Sequence, residues 1–197
     1  MCQHHQNIFN MTIDFISNNS VSDFAVQELI EYAAQNINYM AATHCHFAMI
    51  YIQSGKVIKP LSFGYNHLKK EHSIHAEVDA INNLPSFSRK KKKLVKAKLL
   101  VIRVSRGKMK LAKSRCCIRC CEAIYRIPPL RGYTITNVAF SCKDGSIEDH
   151  HPIHLLLEDD YHMSIYYSRR NYTPKIRQKV IENPNPKTKL FMLKKKI

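Results

Sequence analysis

The stretch AKLLVIRVS (residues 97–105) most strongly constrains what this chain can fold into. It is too uniformly apolar for an edge strand, and it predicts a strand in the middle of a sheet. A nearly continuous apolar sequence is typical of a strand that is covered on both faces of the sheet. We therefore expect a sheet with other elements packed above and below it.

The predicted elements around this strand alternate between helix and sheet. Apolar residues at helical spacing predict a helix over residues 21–38, and Ser22 is its expected N-cap. Two β-rich runs that flank the turn pair Ser54-Gly55 predict a hairpin over 45–66. The further elements are helix 75–84, a helix from the cysteine cluster that stops at Pro128-Pro129, and strand 133–142. This order predicts an α/β fold, a three-layer α/β/α sandwich with a central mixed sheet.

The charge balance points to anionic partners. The net charge is +16, from 31 Lys and Arg against 15 Asp and Glu. Such a balance favours a nucleotide or a nucleic acid as substrate or ligand. One basic run, RVSRGKMKLAKSR (103–115), leads directly into a cysteine cluster, although any single run can equally be a solvated loop. No apolar run approaches the roughly 20 residues of a membrane span, so we expect no membrane partner.

The cysteines indicate a reducing compartment. The chain has seven, an odd number, and its N-terminus does not resemble a secretory signal. We therefore expect an intracellular protein, cytoplasmic or nuclear. Four cysteines cluster at Cys116, Cys117, Cys120 and Cys121. In such a compartment a tight cluster favours a metal site over a redox site or buried thiols.

A zinc site can be assembled from two motifs. Cys117 and Cys120 have C-x-x-C spacing and lie on one face of the first turn of a predicted helix. The helix N-terminus and neighbouring arginines favour their thiolate forms. His75 is a candidate third ligand at another helix start, which would complete the three protein ligands of a catalytic zinc site. Glu77, two residues later, faces away from His75 and is better placed to take a proton from a zinc-bound water.

These motifs match a known family. H-x-E followed by P-C-x-x-C is the motif pair of zinc deaminases. The sequence resembles the cytidine/deoxycytidylate deaminase superfamily over about residues 45–145. HAEVDAI is similar to the H-A-E-x-x-A-I form of its deoxycytidylate, tRNA-adenosine and riboflavin-pathway branches, and FGYN matches the G-x-N that ends the second strand. LLVIRVS followed by SRCCIRC resembles the strand and helix of the second motif, and VAFSCKDGSI resembles a strand and turn of fungal and large-DNA-virus members.

The resemblance implies a cytidine deaminase-like fold, a Zn²⁺ cofactor and a role for each matched residue. His75, Cys117 and Cys120 correspond to the zinc ligands, Glu77 to the proton shuttle, and Asn66 to the asparagine that contacts the nucleotide sugar. The implied reaction is hydrolysis of an exocyclic amine of a cytosine nucleotide such as dCMP or CMP, with zinc hydroxide attacking the amine-bearing carbon and ammonia leaving. Family members often form dimers or tetramers, so a homo-oligomer is compatible with the resemblance.

Two alternatives stay open. The first is a polynucleotide deaminase that acts on cytosine or adenine in RNA or DNA, which the charge favours. The second is a non-catalytic basic zinc domain that binds nucleic acid, conceivable in a virus particle. It is motivated by the basic tail and by Cys116, which stands where the family carries a proline that stiffens the loop.

The length of 197 residues suits one domain with extensions. We predict an N-terminal arm over residues 1–19, a deaminase-like zinc domain over 20–170 and a basic C-terminal tail over 171–197. The end of the tail, NPNPKTKLFMLKKKI, is predicted to be irregular.

Overall fold

The computed structural model describes residues 23–37, 44–69, 72–86, 93–105 and 110–195. In these segments, strands and helices alternate around one large sheet. The helices are α1 (Asp23–Asn36), α2 (Ala76–Asn82), α3 (Ile118–Leu130), α4 (Pro152–Leu157), α5 (Ile165–Ser168), α6 (Lys175–Glu182) and α7 (Pro186–Lys195). The strands are β1 (His44–Ser54), β2 (Val57–Tyr65), β3 (His67–Lys69), β4 (His72–Ile74), β5 (Val95–Ser105), β6 (Leu111–Ala112), β7 (Tyr133–Ser141) and β8 (Ile147–His150).

The main sheet has the strand order β2-β1-β5-β7-β8, and the short β6 also pairs with β5. Strands β5 and β7 run parallel, because α3 carries the chain back between them. The other pairs in this sheet are antiparallel, and β1 and β2 form the predicted hairpin. The sheet is therefore mixed, and β5 occupies the central position that its apolar sequence predicts.

Helices cover both faces of the sheet. Along β5, successive side chains alternate between two cores, as the pleat of a strand requires. Leu100 and Ile102 pack in the core that α1 closes, whereas Leu99 and Val101 pack in the core that α2, α3 and α4 close. All four are fully buried. The prediction of a three-layer α/β/α sandwich with a mixed central sheet is thus confirmed.

Helix α2 lies against β2 at a distance that only a glycine permits. A Cβ atom built on Gly64 would lie 2.2 Å from the backbone nitrogen of Ala80 and 2.5 Å from the carbonyl oxygen of Ala76. Backbone atoms cannot rotate away as side-chain ends do. We expect Gly64→Ala to lower the free energy of unfolding by about 3 kcal/mol, the upper part of the usual range for overpacking. Urea denaturation followed by circular dichroism measures this loss, since the chain has no tryptophan for a fluorescence signal.

The matched control for this prediction is Gly55→Asn in the turn between β1 and β2. Gly55 has a left-handed φ of 58°, and no atom lies within 4 Å of its built Cβ. Asparagine tolerates this conformation, so we expect a loss below about 1 kcal/mol. Equal losses for the two variants would contradict the close contact between α2 and β2.

Two predictions for the second half of the chain are wrong. Helix α3 does not stop before Pro128 but includes both prolines and ends one residue after them, at Leu130. Each proline lacks the N–H that would donate to the carbonyl four residues earlier, so the helix ends within the same turn. The C-terminal end is helical rather than irregular, and Val180 of α6 and Phe191 of α7 pack against the core beside α3. The domain boundary at residue 170 stays a prediction.

The helical C-terminal segment has a partner on α3. The buried carboxylate of Glu122 accepts hydrogen bonds from the backbone nitrogens of Ile176 (2.7 Å) and Arg177 (3.1 Å), at the start of α6. A negative charge at this end of a helix is stabilising. Nothing in the local sequence of α6 shows this contact, since the partner lies more than 50 residues earlier.

Two predictions lie outside the described residues, namely the N-terminal arm and the Ser22 cap. Within the part of the chain that the structure describes, no helix combines the length and the apolarity needed to span a bilayer.

Candidate metal centre

The three predicted metal ligands come from the starts of two helices. His75 is the N-cap residue of α2, and Cys117 is the N-cap residue of α3. Both have extended backbone angles, and neither side chain caps its own helix. Their side chains instead point toward each other, and Cys120 joins them from the first turn of α3. The prediction that both motifs sit at helix starts is confirmed.

The ligand atoms have the spacing of a tetrahedral zinc site. His75 Nδ1 lies 3.5 Å from Cys117 Sγ and 3.3 Å from Cys120 Sγ, and the two sulfur atoms are 3.6 Å apart. Zinc bonds of about 2.3 Å to sulfur and 2.1 Å to nitrogen, at tetrahedral angles, imply separations of about 3.6 to 3.8 Å. Among the described residues, one group of His, Cys, Asp or Glu side chains lies close enough together to hold a metal ion. It consists of His75, Cys117 and Cys120.

The prediction of thiolate forms holds for one of the two cysteines. The pKa of Cys117 is lowered, whereas the hydrogen bond with Cys117, followed by burial, raises the pKa of Cys120. The hydrogen bond from Cys120, and then that with His75, lowers the pKa of Cys117 to about 5, against the effect of burial. The hydrogen bond with Cys117 raises the pKa of His75 to about 9. The Cys117 thiolate is therefore available at neutral pH without a metal. A metal ion would displace the protons of His75 and Cys120, as ligation requires.

Glu77 lies beside the ligands without being one of them. It is in the first turn of α2, and only 3% of its surface is exposed. Its charge contributes to raising the pKa values of Cys116 and Cys120. A buried carboxylate beside three ligands can accept and deliver protons. This is the position that the sequence predicted for it.

A cavity of about 170 Å³ opens next to the ligands. It brings together four of the predicted residues, Asn66, His75, Glu77 and Cys117. The fifth, Cys120, contacts His75 and Cys117. The other lining residues are His46, Ser73, Ala76, Arg115 and His162. All five residues that the sequence singled out therefore meet at one place in the fold.

Asn66 is held rigidly at this cavity. Its Oδ1 accepts a hydrogen bond from the backbone nitrogen of His46 (2.6 Å), and its own backbone nitrogen donates to the His46 carbonyl (3.1 Å). These bonds tie the residue that follows β2 to the neighbouring strand β1. Because the side-chain oxygen is occupied in this way, the Nδ2 group is the part of Asn66 that can bind a ligand in the cavity.

Sequence reasoning missed four polar lining residues, namely His46, Ser73, Arg115 and His162. Arg115 is held by an ion pair with Glu158, and its Nη2 lies 3.9 Å from Asp160 Oδ1. His162 also lines the cavity, and its backbone carbonyl accepts a hydrogen bond from Ile118 at the start of α3 (2.8 Å). Arg115 belongs to a basic run that the sequence does show, but no spacing rule links that run to residues 158–162.

A buried serine pair sets the position of the α3 motif. Ser114 Oγ donates to the carbonyl of Val101 in β5 (2.8 Å) and accepts from the backbone nitrogen of Ser141 in β7 (2.9 Å). The Ser114 backbone nitrogen also donates to the Ser141 carbonyl (2.8 Å). The loop that enters α3 is thus fixed to two central strands just before Cys117. This connection performs part of the stiffening that a proline at position 116 would provide.

The two remaining cysteines of the cluster lie outside the metal group. Burial raises the pKa values of both Cys116 and Cys121, so their thiols stay protonated at neutral pH. We therefore expect Cys116→Ala to retain one zinc ion per chain, as measured by metal analysis of the purified protein. Loss of zinc in this variant would show that Cys116 is a ligand after all.

No family model and no curated protein sequence match the chain. Among solved structures, one match is a cytidine deaminase from Burkholderia pseudomallei, with a TM-score of 0.41 and 13% sequence identity. The match covers 68% of this chain and 98% of the other. A likeness at this score does not define the activity of the chain.

Proposed function

We propose that this protein is a zinc-dependent hydrolytic deaminase of a cytosine nucleotide. The observation that carries the proposal is the group of His75, Cys117 and Cys120, which has zinc spacing, beside the buried carboxylate Glu77. Three protein ligands are typical of catalytic zinc, whereas structural zinc is closed by four. If these three residues held zinc, the cavity lined by His75 and Cys117 would give a substrate access to the metal.

The residues present suit zinc in particular. Two sulfur atoms and one imidazole nitrogen are soft and borderline donors. Such donors bind zinc in preference to magnesium or calcium, which take oxygen ligands. When bound, zinc supplies a water ligand with a pKa near 7, and hence a nucleophile at neutral pH.

Glu77 moves the protons in the proposed reaction. Its carboxylate takes a proton from the attacking water and gives it to the pyrimidine ring nitrogen. It then takes the second proton of the same water and delivers it to the departing amine. The C–N bond breaks, a C=O bond forms, and ammonia leaves, so that cytosine and water yield uracil and ammonia.

The cavity provides further contacts for a nucleotide. Asn66 can donate from Nδ2 to a sugar hydroxyl, while Arg115 and the neighbouring His162 can face an anionic group. The net charge of +16 raises the local concentration of such a substrate. The ion pair with Glu158 orients Arg115 at the cavity.

The experiment is an ammonia-release assay on the zinc-loaded protein, with product identified by mass spectrometry. CMP, dCMP, cytidine and single-stranded DNA and RNA oligonucleotides serve as substrates. We expect conversion of cytosine to uracil, abolished by chelation and restored by zinc. Absence of turnover on all of these substrates by a protein that holds one zinc per chain would contradict the proposal.

The second candidate is a non-catalytic zinc domain that binds nucleic acid. Cys116 favours it, because a thiol occupies the position next to the ligands where the related deaminases carry proline. Zinc without turnover, together with tight salt-sensitive binding of oligonucleotides, is the result that this candidate predicts.

A further inference from the structure

A second, larger cavity lies beside the metal centre. It is a groove of about 840 Å³ between α2, α3 and the segment from Tyr166 to Ile176. Ser73 and His75 line both this groove and the smaller cavity. A ligand that lies in the groove can therefore extend to the place where the proposed chemistry occurs.

The groove carries positive charge. Arg119, Arg126 and Lys175 line it, and all three are exposed. Glu122 is the single carboxylate among the lining residues, and it is buried. It accepts hydrogen bonds from the hydroxyl of Tyr172 and from the backbone at the start of α6. These internal hydrogen bonds compensate the negative charge of Glu122. The exposed surface of the groove is therefore positive and favours an anionic ligand.

Aromatic rings alternate with these cations. Arg119 lies over the rings of both Tyr167 and Tyr172, with its guanidinium carbon 5.2 and 5.4 Å from the ring centroids. Arg170 lies 3.8 Å over the ring of Tyr166, which also lines the groove. Rings and guanidinium planes are the surfaces on which unpaired bases stack, while the cations bind the phosphates between them.

We propose that this groove, defined by Arg119, Arg126, Tyr166, Tyr167, Tyr172 and Lys175, binds single-stranded nucleic acid and presents one nucleotide of the strand to the metal centre. The inference rests on the proposed function and deepens it, since it names a polynucleotide as the substrate class. A mononucleotide would fill the small cavity and leave the groove unused. An acidic peptide would account for the cations but not for the row of aromatic rings.

The test compares two double variants that remove equal charge. The groove variant is Arg126→Gln with Lys175→Gln, and the control is Lys56→Gln with Lys59→Gln at the far end of the β1–β2 hairpin. All four side chains are exposed, so both proteins should fold. Binding of a fluorescent 12-nucleotide oligo-dC and of its RNA equivalent is measured by anisotropy from 50 to 400 mM NaCl, and turnover of the same oligonucleotides is measured beside that of dCMP.

The groove variant is expected to lose two phosphate contacts. Each contact contributes about 0.7 to the slope of log K against log salt for a single strand. The slope should therefore fall by about 1.4, and affinity at 0.1 M salt by about 25-fold. The control should bind like the wild type. Tyr166→Leu, which removes a stacking surface without a charge, should weaken binding at least about fivefold with the slope unchanged.

Equal losses in the groove variant and the control would overturn the proposal, because they would show that only overall charge matters. Absence of oligonucleotide binding by the wild type would also overturn it, as would turnover of dCMP but not of the oligonucleotide. Oligonucleotide turnover that the groove variant lowers, with turnover of dCMP unchanged, supports it. Groove-dependent binding without turnover of any substrate supports the binding groove and contradicts the deaminase reaction instead.

Discussion

Replacing Glu77 with glutamine is expected to lower kcat by about 10²- to 10⁴-fold, the usual contribution of a general acid–base group. The amide has nearly the same size as the carboxylate, so the packing around this buried side chain should be preserved. It cannot accept a proton from the attacking water. Zinc content should stay at one ion per chain, because Glu77 is not among the three clustered ligands. Steady-state kinetics and metal analysis of the same preparation measure both quantities.

The control for Glu77→Gln is Glu28→Gln, which makes the same chemical change at an exposed site on α1, on the other side of the sheet. We expect this variant to keep wild-type kcat. If Glu77→Gln retained activity within about threefold of the wild type, the assigned proton transfer would be wrong even if zinc were present.

The second large effect is expected from the ligands. Cys117→Ala and Cys120→Ala should each weaken zinc binding by more than about 100-fold, since even the loss of a group that only orients a ligand costs about 10- to 100-fold. Activity should disappear with the metal. Added zinc should also no longer raise the thermal unfolding temperature of these variants. In the wild type, free zinc at 100 times Kd should stabilise the fold by about 2.7 kcal/mol.

Cys121→Ala is the matched control for the ligand variants. This cysteine is adjacent to Cys120 and buried like it, but its sulfur lies outside the metal group. We expect one zinc ion per chain and a normal thermal shift on adding zinc. Similar zinc loss from Cys121→Ala and Cys120→Ala would mean that the cluster binds metal in a different arrangement.

The cluster of His75, Cys117 and Cys120 could be predicted from sequence because metal coordination imposes local rules. Cys117 and Cys120 need to share one turn of helix, and His75 needs to stand at the start of another. The central strand β5 was equally predictable, since burial on both faces requires a continuous apolar run. These features depend on neighbours in the chain, so a single sequence displays them.

Other parts of the site depend on contacts between distant segments, and no local pattern encodes them. The bond between Ser114 and Ser141 fixes the entrance to α3, yet each is an ordinary serine in the sequence. Glu122 anchors the start of α6, yet it lies more than 50 residues earlier in the chain, so the sequence around α6 does not show this contact. This packing places three residues along the groove beside the candidate metal centre, namely Tyr172, Lys175 and Ile176.

Cys116 stands where the motif that the sequence resembles has a proline. The thiol is buried and protonated, and it stands beside Glu77 rather than in the metal group. The loop it belongs to is already held by Ser114. We therefore expect the substitution to be compatible with zinc binding.

The most direct test of the account is X-ray absorption spectroscopy of the zinc-loaded protein, because the central claim is a three-ligand zinc site with an open fourth position. We predict a first shell of two sulfur atoms at about 2.3 Å and two nitrogen or oxygen atoms at about 2.0 to 2.1 Å, one from His75 and one from solvent. Loss of the solvent signal on adding a nucleotide analogue would fit the same site. A shell of three or four sulfur atoms would show a closed structural site and would contradict the account.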